Sequence, residues 1–139
     1  MGDVIRVLLA EDNADLSLIL QTLMAEEQDL QCVAGVGSLP ELHAQAAAAG
    51  ECVVVLDIEL RGESSLRQLK ALRQLMPRAA FVMFSGHNHP ELRRAARAAG
   101  AADYVVKSDG PEALFAAIRK AAGHAAAAAA PTTDAAGGA

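Results

Sequence analysis

The feature that most constrains the fold of this chain is an alternation, repeated five times, of short β-rich runs with longer runs of helical period. The third β-rich run, Val53-Val54-Val55-Leu56, has no polar residue, which is typical of a parallel strand covered on both faces. Five such units predict an α/β fold with a parallel sheet, right-handed crossovers and helices on both faces. Because five strands are too few for an eight-stranded barrel, we expect an open, doubly wound sheet. The predicted strands span residues 5–10, 30–35, 53–57, 80–85 and 103–107.

The runs between the strands predict five helices, and several residues mark where a helix begins or ends. In the first run, apolar residues recur at the i, i+3, i+4, i+7, i+8 spacing of one buried helix face. That face comprises Leu16, Ile19, Leu20, Leu23 and Met24. Ser38 and Glu41 predict a capping box at the start of the second helix. Pro77 predicts the end of the third helix, and Pro90 and Pro111 predict the starts of the fourth and fifth.

Chain length and the composition of the C-terminal region predict one domain followed by a tail. A chain of 139 residues fits one hydrophobic core, which we assign to residues 1–123. Residues 124–139 are rich in alanine and glycine and are expected to be a disordered tail or a truncated linker. The alanine run at 125–130 also has the propensity to extend the fifth helix by a turn or two.

Composition argues against several functional classes. The net charge of −5, with no block of lysine and arginine, gives no electrostatic reason to expect nucleic-acid binding by this chain. No segment approaches the roughly 18 apolar residues of a membrane span, and the N-terminus shows no signal-peptide pattern. Cys32 and Cys52 lie in apolar strand-like runs, so we expect buried, unreactive thiols and a cytoplasmic location.

Polar residues lie at the ends of four predicted strands: the first runs into Glu11 and Asp12, and the third, fourth and fifth end in Asp57, Ser85 and Lys107. An acidic residue after a strand is usually a helix cap, but the carboxyl ends of parallel strands meet at one edge of the sheet. Three carboxylates gathered there within about 5 Å would repel by roughly 3 kcal/mol per pair at an effective dielectric of about 20. Such a group needs a cation, and hard oxygen ligands suit Mg²⁺.

These residue types together suit phosphoryl transfer to a carboxylate. A metal ion that neutralises charge on the phosphoryl oxygens lets one carboxylate attack phosphorus, with Lys107 as a second positive charge and Ser85 as a hydrogen-bond donor. The product would be an acyl phosphate, which hydrolyses readily. We therefore expect a timed switch rather than a steady catalyst, and not an enzyme in the ordinary sense.

Four segments, in this order and spacing, resemble the receiver domains of two-component response regulators over residues 4–123. They are Leu8-Leu9-Ala10-Glu11-Asp12-Asn13, Val54-Val55-Leu56-Asp57-Ile58, Val82-Met83-Phe84-Ser85-Gly86-His87 and Gly100-Ala101-Ala102-Asp103-Tyr104-Val105-Val106-Lys107-Ser108. The resemblance implies a flavodoxin-like sheet with strand order 2-1-3-4-5. It also implies a phospho-accepting switch of a two-component pathway, which catalyses only its own phosphorylation and dephosphorylation.

The resemblance implies a role for each acidic residue at the strand ends. Asp57 would accept the phosphoryl group. Mg²⁺ would be bound by Asp57, by Asp12 directly, by Glu11 through water and by the backbone carbonyl of Glu59. Lys107 would pair with the phosphoryl group once it is attached.

The resemblance also implies which residues carry and time the switch. Ser85 would close on the phosphoryl group, and Tyr104 would change its rotamer. Their movement would repack the face built from the fourth helix, the fifth strand and the fifth helix. Glu59 and His87, which lie two residues past Asp57 and Ser85, would tune the rate of dephosphorylation.

The implied partners are a sensor histidine kinase, which donates the phosphoryl group from a phosphohistidine, and an output module. Lys107-Ser108 followed by Pro111-Glu112-Ala113-Leu114 is most similar to receivers of LuxR/NarL-type regulators, which carry a helix-turn-helix DNA-binding domain. We therefore expect either a stand-alone receiver with a separate output protein or a receiver truncated before that domain. A homodimer that forms on phosphorylation is a further expected assembly. Arg93, Arg94 and Arg97 on the fourth helix form either a partner surface or a solvated face.

Two positions depart from the family pattern, and two alternatives to the switch are open. Arg61 stands where the acceptor loop usually has proline, which we expect to alter loop rigidity without changing the chemistry, and Gly86 stands where alanine is commoner. A phosphatase of the haloacid-dehalogenase kind would need an aspartate where Glu59 lies, and a cap insertion. The stronger alternative is a protein-interaction module with the receiver fold that signals without phosphorylation.

Overall fold

The computed structural model describes residues 3–129 and the side chains of residues 3–123. Five parallel strands form one sheet in the order β2-β1-β3-β4-β5, which confirms the predicted flavodoxin-like topology. The strands are β1 (Ile5–Ala10), β2 (Leu30–Val36), β3 (Cys52–Asp57), β4 (Ala79–Ser85) and β5 (Asp103–Val106). Each strand begins and ends within one residue of its predicted bounds. The central strand β3 pairs with β1 on one side and β4 on the other.

Five helices connect or follow the strands: α1 (Ala14–Ala25), α2 (Leu39–Ala49), α3 (Leu69–Leu75), α4 (Pro90–Ala98) and α5 (Pro111–Ala129). The predicted cap of α2 is confirmed, because Ser38 Oγ accepts a hydrogen bond from the Glu41 amide at 3.3 Å. The alanine run continues α5 through Ala129, as its helix propensity predicts, so the predicted tail begins inside this helix. Residues 130–139, the remainder of that tail, lie outside the described residues.

The sheet is covered on both faces, and each face has its own hydrophobic core. Val53 and Val55 of β3 pack on the side of α1 and α5, whereas Val54 and Leu56 pack on the side of α2, α3 and α4. All four side chains are at most 1% exposed, which explains why this strand has no polar residue before Asp57. Each such side chain contributes about 1.5–3 kcal/mol through burial. The packed sheet thus fixes the relative positions of the residues that follow its strands.

The predicted apolar face of α1 is wrong at one position. Leu20 and Met24 are buried as expected, but Ile19 is 54% exposed and the neighbouring Leu18 is 65% exposed. Ile19 lies about 100° around the helix from Leu20, on the flank of the buried stripe. Ser17 is buried on the same stripe as Leu20, at a position where the sequence pattern favours no burial.

The described residues contain two free thiols and no helix suited to a membrane. Cys52 is buried at the start of β3, and Cys32 is half-buried in β2. Burial raises the pKa of both thiols, which favours their protonated form, and the predicted burial is complete for Cys52 but only partial for Cys32. None of the helices within residues 3–129 combines the length and the apolar character that crossing a bilayer requires.

Candidate functional site

The carboxyl edge of the sheet gathers three acidic side chains, as the sequence predicts. Glu11 and Asp12 follow β1, Asp57 ends β3, and these two strands are neighbours. One carboxylate oxygen of each residue lies within 4.8 Å of the other two. Glu11 is 2% exposed and Asp57 6% exposed, whereas Asp12 is exposed at the rim. Two carboxylates are thus buried side by side, where an isolated charge is costly, with a third at the entrance.

Lys107 supplies the positive charge at this edge. It follows β5, and its Nζ lies 2.8 Å from Asp57 Oδ2 and 2.8 Å from Glu11 Oε1. One ammonium therefore bridges both buried carboxylates. With Asp12 included, three carboxylates face one ammonium, which leaves a net charge of −2 when all four groups are ionised. This excess of negative charge makes the edge receptive to a cation.

The pKa values of two groups at this edge, the Glu11 carboxyl and the Lys107 ammonium, are raised. Burial raises the pKa of the Glu11 carboxyl, and its interactions with Lys107 and the Asn13 amide offset that rise only in part. Burial alone would lower the pKa of the Lys107 ammonium, but its interactions with Asp57 and Glu11 outweigh burial and raise it. Lys107 therefore stays charged at neutral pH, while the charge of Glu11 is poorly compensated.

The acidic residues fit the ligand chemistry of magnesium. All three offer carboxylate oxygens, which Mg²⁺ prefers, and the exposed Asp12 leaves access for water ligands. Glu11 Oε2 accepts the Asn13 amide N–H at 2.9 Å, but Glu11 Oε1 is buried and accepts no hydrogen bond from any described residue. The Lys107 ammonium lies at ion-pair distance from Oε1 without hydrogen-bonding geometry. Oε1 therefore faces one positive charge and has lone pairs left for a water ligand of a metal ion.

Both the side chain and the backbone carbonyl of Asp57 accept hydrogen bonds. Its Oδ2 accepts a hydrogen bond from Lys107 Nζ at 2.8 Å, and its Oδ1 accepts one from the Glu59 amide at 3.2 Å. The fully buried Ser65 shares its hydroxyl hydrogen between the carbonyls of Asp57, at 2.5 Å, and Ile58, at 3.0 Å. The sequence does not predict Ser65, because a serine in a polar loop carries no signal until the path of the loop is known. The role of the Glu59 carbonyl as a metal ligand stays a prediction.

The loop after β3 forms a tight β-hairpin over residues 59–64 with Arg61 at its tip. Arg61 and Gly62 both have positive φ, 51° and 80°, a conformation that proline, usual at position 61 in the resembling family, cannot adopt. Arg61 donates its amide N–H to Asp12 Oδ2 at 2.8 Å, and its Nε donates to the Gly37 carbonyl at 3.1 Å. Arg61 thus contacts a carboxylate of the site through its backbone, and the expectation that it alters loop rigidity without changing the chemistry stays a prediction.

The residues expected to form the switch lie together beside Asp57. Ser85 ends β4 and is 1% exposed, and its Oγ accepts the His87 amide N–H at 3.0 Å. The buried Tyr104 of β5 donates its hydroxyl to the His87 carbonyl at 2.7 Å. Asp57, Ser85, His87 and Lys107 all line one cleft of about 460 Å³. The backbone of His87 thus joins Ser85 to Tyr104.

The three arginines of α4 differ in their surroundings. Arg94 and Arg97 are exposed, as expected for a charged surface. Arg93 is half-buried, and its guanidinium lies over the ring of Tyr104. Arg93 therefore belongs only in part to the predicted charged surface, a distinction that the spacing of the three arginines does not reveal.

Comparison with known proteins agrees with the resemblance at the level of sequence. The family model described as the response regulator receiver domain matches residues 7–119. Transcriptional activator protein ExaE of Pseudomonas putida is 32% identical over 120 residues, which cover 86% of this chain and 56% of that protein. Transcriptional regulatory protein UhpA of Escherichia coli is 34% identical over 115 residues, which cover 83% of this chain and 57% of that protein. The chain thus spans little more than half the length of these relatives.

A solved structure shows the same fold. The two-component response regulator of the LuxR family from Aurantimonas sp. SI85-9A1 superimposes with a TM-score of 0.81 at 24% identity. The superposition covers 88% of this chain and 87% of that one. At this identity the likeness concerns the arrangement of the strands and helices, which agrees with the five-stranded sheet described above.

Proposed function

The chain belongs to the response regulator receiver domain family, and from that premise we propose that it is a phospho-accepting switch of a two-component signalling pathway. The observation that carries this proposal is the setting of Asp57. Its buried carboxylate ends a central strand, 2.8 Å from the Lys107 ammonium and within 4.8 Å of carboxylate oxygens of Glu11 and Asp12. This arrangement combines a nucleophile, a positive charge and the ligands for a divalent cation.

In the proposed reaction, a phosphohistidine of a sensor histidine kinase donates its phosphoryl group to Asp57. A carboxylate oxygen of Asp57 attacks phosphorus, the P–N bond breaks, and its electron pair returns to the imidazole nitrogen. The Lys107 ammonium, already 2.8 Å from Asp57 Oδ2, would then pair with the new phosphoryl oxygens. The Ser85 hydroxyl lines the same cleft and would donate a hydrogen bond to them.

Glu11, Asp12, Asp57 and the Glu59 carbonyl are the groups that would hold Mg²⁺, which neutralises charge on the phosphoryl oxygens when it is bound. The contribution of the chain itself is positional. Neighbouring strands hold Glu11 and Asp57 side by side, and the hairpin amide at position 61 fixes Asp12. Carboxylates held in place before the reaction need no reorganisation during it.

Phosphorylation would be read out through Ser85, His87 and Tyr104. If Tyr104 moves between an outward position and the inward position seen here, the His87 carbonyl bound to it and the His87 amide bound to Ser85 move with it, and a phosphoryl group that accepts the Ser85 hydroxyl would favour the inward arrangement. That movement would repack the face of α4, β5 and α5 as a population shift between two arrangements. Glu59 and His87 also line the cleft, where they would set the lifetime of the phosphoryl group by admitting or excluding water.

The proposed partners are a sensor histidine kinase and an output module. The longer relatives are a transcriptional activator and a transcriptional regulator, so we infer that the output is a DNA-binding domain, either continuous with this chain or on a separate protein. A phosphorylation-dependent homodimer and a cytoplasmic location fit the same role. This chain itself is proposed to contact neither nucleic acid nor membrane.

Incubation with a small phosphodonor, such as acetyl phosphate, and Mg²⁺ tests the proposal. Intact-mass spectrometry should show one added phosphoryl group on the wild-type chain and none on Asp57→Asn. An unmodified wild-type chain, or equal labelling of the variant, would remove the proposal. Equal affinity for a partner with and without beryllofluoride, a phosphoryl analogue, would instead favour an interaction module that works without phosphorylation.

A further inference from the structure

Arg93 is the arginine of α4 that faces inward. Its Nε donates to Asn88 Oδ1 at 2.9 Å in the loop between β4 and α4, and its Nη1 donates to the Tyr104 carbonyl at 3.4 Å. The guanidinium carbon lies 4.9 Å from the centre of the Tyr104 ring, at cation–π distance. Within the described residues no carboxylate lies at salt-bridge distance from Arg93. The guanidinium therefore interacts with the loop, the strand and the ring rather than with an acid.

The same ring is held at its other end by the loop. The Tyr104 hydroxyl donates to the His87 carbonyl at 2.7 Å, and the His87 amide donates to Ser85 Oγ at 3.0 Å. Gly86, which separates Ser85 from His87, has open space where a side chain would lie. Beyond the Ser85 contact, two side-chain hydrogen bonds hold this loop: Tyr104 binds the His87 carbonyl, and Arg93 binds Asn88. The first requires the ring of Tyr104 to stay inward, and Arg93, which makes the second, lies over that ring.

We propose that Arg93 is a positioning residue that holds Tyr104 inward and the β4–α4 loop in place, and so favours the arrangement that receives the phosphoryl group. The link to Asp57 rests on the proposed function, whereas the effect on Tyr104 does not. By linkage, a residue that stabilises one of two arrangements raises the affinity of any ligand that binds that arrangement. Removal of Arg93 should therefore expose Tyr104 and weaken binding of a phosphoryl analogue together.

The chain has one tyrosine and no tryptophan, so tyrosine fluorescence reports on Tyr104 alone. In Arg93→Ala, the constant for quenching by acrylamide should rise by about 2- to 5-fold, the range expected for loss of a cation–π contact. Arg94→Ala is the matched control, because it removes an exposed arginine of the same helix, and its quenching should equal that of the wild type. Unchanged quenching in Arg93→Ala, or an equal rise in Arg94→Ala, would overturn the proposal.

Beryllofluoride affinity in the presence of Mg²⁺, measured by ¹⁹F NMR, tests the coupling to Asp57. Its Kd should rise in Arg93→Ala, by a smaller factor than the quenching constant, because the apparent Kd varies inversely with the fraction of the chain in the binding arrangement, and it should stay at the wild-type value in Arg94→Ala. A rise in quenching with an unchanged Kd would overturn the coupling. A wild-type chain that binds no beryllofluoride and accepts no phosphoryl group would overturn the proposed function, while quenching would still decide the effect on Tyr104.

Far-UV circular dichroism checks that each variant is folded. If Arg93→Ala does not fold, both measurements are made on Arg93→Lys instead. Lysine keeps a positive charge near the ring, but it lacks the planar guanidinium that binds both Asn88 and the Tyr104 carbonyl. Both values should then change in the same direction by a smaller factor. A quenching constant and a Kd equal to those of the wild type in Arg93→Lys would overturn the proposed role of the guanidinium.

Discussion

Two groups of charges in this molecule have the same composition, one cation between two carboxylates, but lie at opposite edges of the sheet. At the carboxyl edge, Lys107 bridges Glu11 and Asp57, whose side chains are 0% and 9% exposed. Near the amino edge, Arg119 of α5 bridges Glu27 and Asp29, whose side chains are 38% and 46% exposed. Distances do not distinguish the two groups, since all four ion pairs measure 2.7–2.8 Å.

The acids of the two groups nevertheless respond in opposite directions. Hydrogen bonds from Arg119, through Nε and Nη2, lower the pKa of the exposed Asp29 carboxyl. Burial raises the pKa of the Glu11 carboxyl in spite of its ammonium neighbour. In the exposed group, the charges of Glu27 and Asp29 are compensated by Arg119 at the protein surface. The buried group holds charge at a cost, and a divalent cation would relieve that cost. Four predictions test this difference.

The largest effect is expected for Lys107→Met, which leaves two buried carboxylates without their ammonium. The free energy of unfolding should fall by about 3 kcal/mol at neutral pH, and excess Mg²⁺ should restore part of the loss. Urea denaturation with and without Mg²⁺ measures both values. Arg119→Met is the matched control, with a loss of less than about 1 kcal/mol because its partners are exposed. Equal losses in the two variants would contradict the comparison.

The next effect concerns Asp12, the acid of the carboxyl edge that is held by an amide instead of an ammonium. Arg61→Pro removes that amide and cannot adopt a φ of 51°, so it should lower the free energy of unfolding by about 2 kcal/mol. Arg61→Gly keeps the amide and accepts positive φ, and should stay within about 0.5 kcal/mol of the wild type. Both values come from urea denaturation. A proline variant as stable as the glycine variant would show that the amide contact is dispensable.

A smaller effect, of opposite sign at the two edges, is expected when one acid of each group becomes an amide. Asp57→Asn should raise the free energy of unfolding by about 1 kcal/mol, because one ammonium then faces one buried carboxylate. Asp29→Asn should lower it, because Arg119 loses one of its two charged partners. Thermal denaturation of both variants in the absence of divalent cations measures the two signs. A loss of stability in both would show that burial does not separate the two groups.

The smallest effect is a pH dependence at the exposed group. The folded-state pKa of Asp29 lies below its ordinary value of 3.8, so the ion pair contributes stability above pH 3.8 that is lost as pH falls through the folded-state value. Wild type should exceed Arg119→Gln in stability at neutral pH by less than about 1 kcal/mol. The difference should vanish in acid. A series of melting curves from neutral to acid pH measures it, and a difference that grows in acid would contradict this sign.

The fold could be predicted because its determinants are local and repeated. Each strand appears as an apolar run and each helix as a repeat of apolar residues at helical spacing, and the covered sheet follows from the absence of a polar residue in β3 before Asp57. The gathering of Glu11, Asp57 and Lys107 could also be predicted, since the ends of parallel strands meet at one edge. Ile19 shows the limit of this approach, because spacing alone does not say how wide the buried stripe of a helix is.

The contacts that could not be predicted all depend on the path of a loop or on one rotamer. Arg61 reaches Asp12 only because the hairpin places two residues at positive φ. Ser65 binds the Asp57 carbonyl only because that hairpin returns beneath β3. Arg93 is indistinguishable from Arg94 in sequence, yet one turns inward and the other outward. Such contacts are set by packing between distant segments.

The length of α5 has a mechanical consequence. Among its side chains described here, the last buried one is Ala121, and the helical backbone continues to Ala129, about 12 Å farther along the axis. From Pro111 to Ala129 the helix measures about 27 Å at 1.5 Å per residue, and a helix of that length is stiff. A tilt of about 5° at Pro111 would carry Ala129 sideways by about 2 Å. The helix can thus act as a lever that amplifies a small repacking beside Tyr104 into a displacement at its far end.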